Sequence, residues 1–124
     1  MSNWTHVAAV ARIDSMGQKL SDYTKIFGKE VHCNSPKKLF IEKYEHPERF
    51  LPCGSEGSLY MTVHIIPNDY RHTVTIFGDL RDYYNPQSVI DWFADKLKGL
   101  CVRQAVITAS DSIDGVKSWT YEDA

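Results

Sequence analysis

Gly54-Ser55-Glu56-Gly57-Ser58 is the segment whose residue types come nearest to a ligand cradle. Small side chains, hydroxyls and accessible backbone N–H groups suit a phosphate or another anion. The segment has neither the lysine of a Walker loop nor the G-x-G-x-x-G spacing of a dinucleotide fold, so a flexible turn entering a strand is the better account of it. Arg81 adds a guanidinium able to grip a phosphate or carboxylate through two parallel N–H bonds, unless Asp79 or Asp82 takes it. Asp82-Tyr83-Tyr84-Asn85 follows, with rings that either stack on a ligand or pack the start of a helix. Those five loop residues, with Arg81, Asp82, Tyr83 and Tyr84, form the candidate ligand-binding set, and Trp4 is a further stacking surface.

Other chemistry-bearing residues make weaker patterns. Asp14, Glu56, Asp79 and Asp82 would offer Mg²⁺ or Ca²⁺ hard oxygen ligands if they converged, but solvated loop carboxylates explain the same residues, and no metal is expected. His6, His32, His46, His64 and His72 contain no H-E-x-x-H pair; His64 and His72 can face each other across a hairpin without a metal between them. Cys33 beside His32 is not a nucleophile–base dyad, because adjacent residues of an extended segment point apart. Cys53 stands next to Gly54, and Cys101 reads as a small buried hydrophobe at a strand start. No catalytic residue is assigned and no cofactor is expected.

The positioning elements follow from periodicity. Trp4 to Asp14 alternates as a half-covered strand. Met16, Leu20, Tyr23, Ile26 and Phe27 recur at helical steps, with Gly28 as the stop. From Lys29 to Ser58 the pattern weakens into a long connection with room for one extra strand or helical turn at Leu39-Phe40-Ile41. Leu59 to Ile66 and His72 to Gly78 alternate on either side of Pro67-Asn68-Asp69 and predict a hairpin. Asn85-Pro86 predicts a capped helix start, Val89, Ile90, Trp92, Phe93 and Leu97 its buried stripe, and Gly99 its end. Leu100 to Ala109 is another strand, and Asp114-Gly115 turns the chain into a last one, Val116 to Tyr121.

This order predicts one α+β domain over 1–124, a ferredoxin-like two-layer sandwich (βαββαβ) with an extra C-terminal strand. In that arrangement the first and third strands are expected to run parallel at the centre. Asp14-Ser15, Gly54 to Ser58 and Gly78 to Asp82 would then open onto one edge, where loops carry polar groups on a rigid scaffold.

The opposite sheet face would carry Ala8, Val10, Tyr60, Thr62, His64, Thr73, Thr75, Phe77, Gln104 and Val106. A face this apolar calls for a second layer, supplied by the C-terminal strand, by the Lys29 to Ser58 segment or by a homo-oligomer. Tyr60 and Phe77 also suit an RNA-recognition sheet, but the basic, glycine-flanked aromatic run of that module is missing.

Composition narrows the partners. Fourteen Lys and Arg against 16 Asp and Glu leave a net charge of −2, which excludes a broad basic nucleic-acid groove and a strongly acidic mimic. Three cysteines without a C-x-x-C spacing fit a reducing cytoplasm. The chain has no signal-like block or long apolar run, so neither processing nor a membrane partner is expected.

Asn3-Trp4-Thr5-His6-Val7-Ala8-Ala9, Gly54-Ser55-Glu56-Gly57-Ser58-Leu59 and Ile76-Phe77-Gly78-Asp79-Leu80-Arg81-Asp82, with Asp91-Trp92-Phe93 and the 102–108 run, resemble small uncharacterised proteins encoded in phages and prophages of Gram-positive bacteria. The resemblance covers most of the chain apart from Lys29 to Phe50 and brings no functional residue with it. It implies a bacterial host cytoplasm and a class in which small binders of host defence components are common.

The expectation is a non-enzymatic accessory protein that inhibits a host defence component, by sequestering a nucleotide signal or by blocking a protein, and that forms a homo-oligomer. In the nucleotide version, Gly54 to Ser58 and Arg81 hold phosphate while Tyr83, Tyr84 or Trp4 stacks. Two alternatives stand beside it. One is a small enzyme acting on a phosphorylated or nucleotide substrate at the loop edge, with Asp14, Asp79 or Asp82 as base or metal ligand. The other is an assembly protein working through its sheet face.

Overall fold

A computed structural model describes residues 2–31 and 37–123, so His32 and Cys33 lie outside the described residues. In chain order the elements are β1 (Trp4–Asp14), α1 (Leu20–Phe27), α2 (Lys37–Glu45), a 3-10 turn (Pro47–Arg49), β2 (Leu59–Ile65), β3 (Arg71–Arg81), α3 (Pro86–Lys96), β4 (Val102–Asp111) and β5 (Gly115–Glu122). Strict alternation makes β1 a strand: Val7, Ala9, Ala11 and Ile13 are buried while the residues between them are exposed. For α3, Oδ1 of Asn85 accepts the N–H of Ser88 at 2.9 Å, and Pro86 occupies the first turn, where its missing donor costs nothing.

The fold is α+β, a five-stranded antiparallel sheet in the order β2-β3-β1-β4-β5 with three α-helices. The helix count exceeds the two expected, because the long connection contains α2 as well as the 3-10 turn. Tyr23 and Phe27 of α1 and Val89, Ile90 and Phe93 of α3 join Val7, Ala9, Ala11, Val74, Ile76 and Ile107 in one core cluster. Alanines at central-strand positions Ala9, Ala11, Ala105 and Ala109 leave room for the rings of Phe27 and Phe93, whose centroids lie 6.4 Å apart. Among the described residues, no helix is long and apolar enough to cross a membrane.

Strand direction corrects one expectation. The hairpin reverses the chain between β2 and β3, and β1 pairs with β3 antiparallel, with Trp4 opposite Arg81 and Asp14 opposite Arg71. Asp14-Ser15 therefore sits at the far end of the sheet from Gly78 to Asp82, about 30 Å away at 3.4 Å per residue.

Among the described residues, neither intramolecular cover reaches the open sheet face. The connection folds back on α1: Lys29 N donates to Arg49 O and Leu51 N to Lys29 O, each at 2.8 Å, and Leu51 enters the core. A Cβ on Gly28 would collide with the backbone of Phe50, which is why the two segments meet at a glycine. β5 extends the sheet in plane beside β4, and its Trp119 packs edge-on against Phe93 on the helix side.

Candidate functional site

The structure brings Gly54 to Ser58 together with Arg81 and Asp82. Ser55 N donates to Arg81 O at 2.9 Å, Arg81 N to Glu56 O at 3.0 Å and Gly54 N to Gly57 O at 3.1 Å. These loop donors are thus taken by the loop itself and the end of β3. A Cβ on Gly54 would strike the Arg81 carbonyl, and one on Gly57 the Asp79 carbonyl, so the glycines allow two backbones to touch. Ser58 is buried, its hydroxyl donating to Leu59 O at 2.9 Å.

The Arg81 guanidinium is likewise engaged. Nη1 donates to Glu56 Oε1, Nε donates to Ser2 Oγ at 2.8 Å, and Asp82 Oδ2 lies 3.6 Å from Nε. Asp82, at a φ of 53°, turns back to accept the N–H of Asn3 at 3.1 Å. An anion arriving here would have to displace Glu56 from a cation that two carboxylates already surround. Tyr83 and Tyr84 form an edge-on pair with centroids 5.3 Å apart. Tyr83 is half-buried, its hydroxyl pKa raised by burial first and then by Tyr84, whereas Tyr84 is 87% exposed.

The four acidic candidates do not converge. Asp14 pairs with Arg103, Asp79 lies 2.6 Å from His6 Nδ1, and Glu56 and Asp82 flank Arg81. Among the described residues, no group of three or more His, Cys, Asp or Glu is placed to hold a metal. His64 and His72 do not face each other: the register sets His64 opposite Thr73 and His72 opposite Ile65, on opposite faces. His72 is buried against Tyr23, whose hydroxyl lies 2.6 Å from its Nδ1. Cys101 is exposed rather than buried, because Val102 takes the inward position. Cys53 is half-buried.

At the opposite end the strands form a shallow basin of about 370 Å³, with Arg12, Asp14, Arg71 and Arg103 among its lining residues. A register shift between Arg12 and Ile13 in the β1–β4 pairing leaves Arg103 and Gln104 both exposed, as a bulge does. Arg71 grips Asp69 through two bonds of 3.1 Å, and Arg103 holds Asp14. Arg12 makes no hydrogen bond or ion pair among the described residues, although Asp69 feels its charge. Sequence reasoning missed this basin, since a bulge leaves no mark in the alternation of β1.

A third feature, left uncovered by the described residues, is the sheet face opposite the helices. Register aligns Tyr60, Phe77, Ala8, Thr108 and Ser118 in one row and Thr62, Thr75, Val10, Val106 and Thr120 in the next. Val10, Val106, Tyr60 and Phe77 are 38%, 40%, 42% and 48% exposed. The Tyr60 and Phe77 rings lie 6.0 Å apart, tilted by 37°. Such a surface favours apolar contact with another flat surface. No protein family, curated protein or solved structure matches the chain.

Proposed function

We propose that this chain is a non-enzymatic accessory protein of a phage or prophage that acts by protein contact in a bacterial cytoplasm. Its contact surface is the open sheet face, and its target is a host defence protein. The scaffold is a ferredoxin-like sandwich widened by β5; the β2-β3-β1-β4 part of the strand order, with α1 and α3 packed into one core cluster, supports that assignment. The observation carrying the functional reading is the uncovered five-stranded face, whose central rows hold apolar, hydroxyl and aromatic groups without a charged side chain. Protein contact is favoured over nucleotide capture because the N–H groups of Gly54 and Ser55 and the Arg81 guanidinium already have partners.

The test is phage plating on bacteria that carry a defence system, with and without this chain. Wild type is expected to restore plating on at least one such strain. Val10→Glu, which charges the middle of the face without touching the core, is expected to abolish the effect. Full activity of Val10→Glu together with loss in Arg81→Ala would instead establish the loop edge as the site.

A further inference from the structure

The geometry points to a second copy of this chain as the occupant of the open face, packed face to face about a two-fold axis that crosses the strands, so that Arg12 of each copy meets Asp79 and His6 of the other. The inference rests on the reading of that face as a contact surface and adds the identity of what covers it before the host protein is met; the target then displaces the second copy.

Area allows it. At about 4.8 Å between strands and about 3.3 Å per residue, a five-stranded face seven residues deep spans roughly 24 by 23 Å, or about 550 Å² in plan. Two such faces reach the roughly 1,000 Å² that a specific interface must clear, before side-chain relief is counted.

Charge selects the axis. Titratable side chains stand at the ends of the face: Asp79 beside His6 at one, and Arg12 with His64 and Glu122 in its row at the other. β1 is the middle strand, so it faces its own copy under either symmetric arrangement. An axis along β1 would press the two Arg12 guanidinium groups together, with His64 against Glu122 at the rim as the only compensation.

An axis across the strands sets Ala8 on the partner's Val10, Phe77 on the partner's Thr75 and Arg12 on the partner's His6. Asp79 then lands over the partner's Thr73, the residue paired with Arg12 in the β1–β3 register. Large side chains meet small ones, and the unpaired cation meets a carboxylate twice. Beyond these rows Arg71 and Arg81 carry their own carboxylates, Asp69 and Glu56.

Sedimentation of the full chain tests the proposal. Wild type is expected at twice the 14.2 kDa chain mass in the micromolar range, and Val10→Glu as a folded monomer. Arg12→Asp and Asp79→Arg are each expected to weaken the dimer about tenfold or more, because each reversal acts at two symmetric contacts. Combining them is expected to restore it, with circular dichroism confirming that every variant is folded. A monomeric wild type, a dimer indifferent to Val10→Glu, or a double variant no tighter than the singles would overturn the inference. If wild type is monomeric while Val10→Glu still abolishes the plating effect, this inference fails and the contact reading stands. If wild type is a dimer that Val10→Glu dissociates while the plating effect persists, the inference stands and the contact reading fails.

Discussion

The Tyr23 hydroxyl and Nδ1 of His72 lie 2.6 Å apart, between α1 and β3, with both side chains buried. Their rings meet edge-on at 5.5 Å. This polar contact fixes the roll of α1 on the sheet, because neither group has another side-chain partner among the described residues. Tyr23→Phe keeps the ring and strands the imidazole nitrogen, a change expected to cost about 1–3 kcal/mol. Urea denaturation would show it as a lower midpoint at unchanged slope; an unchanged midpoint would mean that the bond contributes nothing net.

Ionisation gives a second prediction. Burial, then the Asp22 charge, holds the Tyr23 hydroxyl above its ordinary value of 10.0, and burial does the same for Tyr83. The unfolded phenols ionise first, so their contribution is complete below pH 10.0 and is lost as pH rises through the raised folded values. At the acid end, hydrogen bonds from Arg71 hold Asp69 low, and the N–H of Asp114, then Asn3, holds Asp111 low. Their contribution is present above 3.8 and disappears as pH falls through the lowered folded values. A plot of Tm against pH is expected to fall at both ends, and Tyr23→Phe to make the alkaline fall shallower. An identical alkaline slope in the variant would contradict the assignment.

Gly57 has a φ of 77°, and a Cβ there would strike the Asp79 carbonyl and come within 3.4 Å of the Trp4 ring. Gly57→Ala is expected to destabilise the chain by about 1–3 kcal/mol and to shift the Trp4 fluorescence as the loop lifts. The side chain of Ser55 is less constrained, so Ser55→Ala should leave both readouts near wild type. Equal effects from the two would mean that close approach is not why glycine stands at 57.

Thr5 is fully buried, and its Oγ1 has no hydrogen-bond partner among the described residues. Thr5→Val replaces a desolvated hydroxyl with a methyl of the same shape and is expected to raise stability by about 1 kcal/mol. Thermal melts would check it, and a clear loss of Tm would show that the hydroxyl has a partner after all.

Much of the scaffold was legible because two-residue alternation and one cap are local signals. Val7, Ala9, Ala11 and Ile13 marked the covered face of β1, and Asn85-Pro86 marked the start of α3. Strand direction is not local, and assuming β1 parallel to β3 put Asp14 at the wrong end of the sheet. The nine candidate ligand residues include a group that does come together around Arg81, but their types could not reveal that Glu56 accepts both the Arg81 guanidinium and the Arg81 N–H there. Cys101 is exposed because register, not residue type, decides whether it or Val102 faces inward.

Placing β1 at the centre of the sheet has a consequence for synthesis. Its two hydrogen-bonding neighbours, β3 and β4, end at Arg81 and Asp111, so the first strand made is among the last to be completed. At roughly 5–20 residues per second β3 is complete on the order of 3–13 s after β1 and β4 on the order of 5–20 s after it, so β1 waits first for both partners and then for one. Ala8, Ala9 and Ala11 keep that waiting segment low in sticky surface, while His6 and Arg12 place polar groups near its ends. The small side chains that let helices approach the finished sheet thus also protect the nascent chain before the sheet exists.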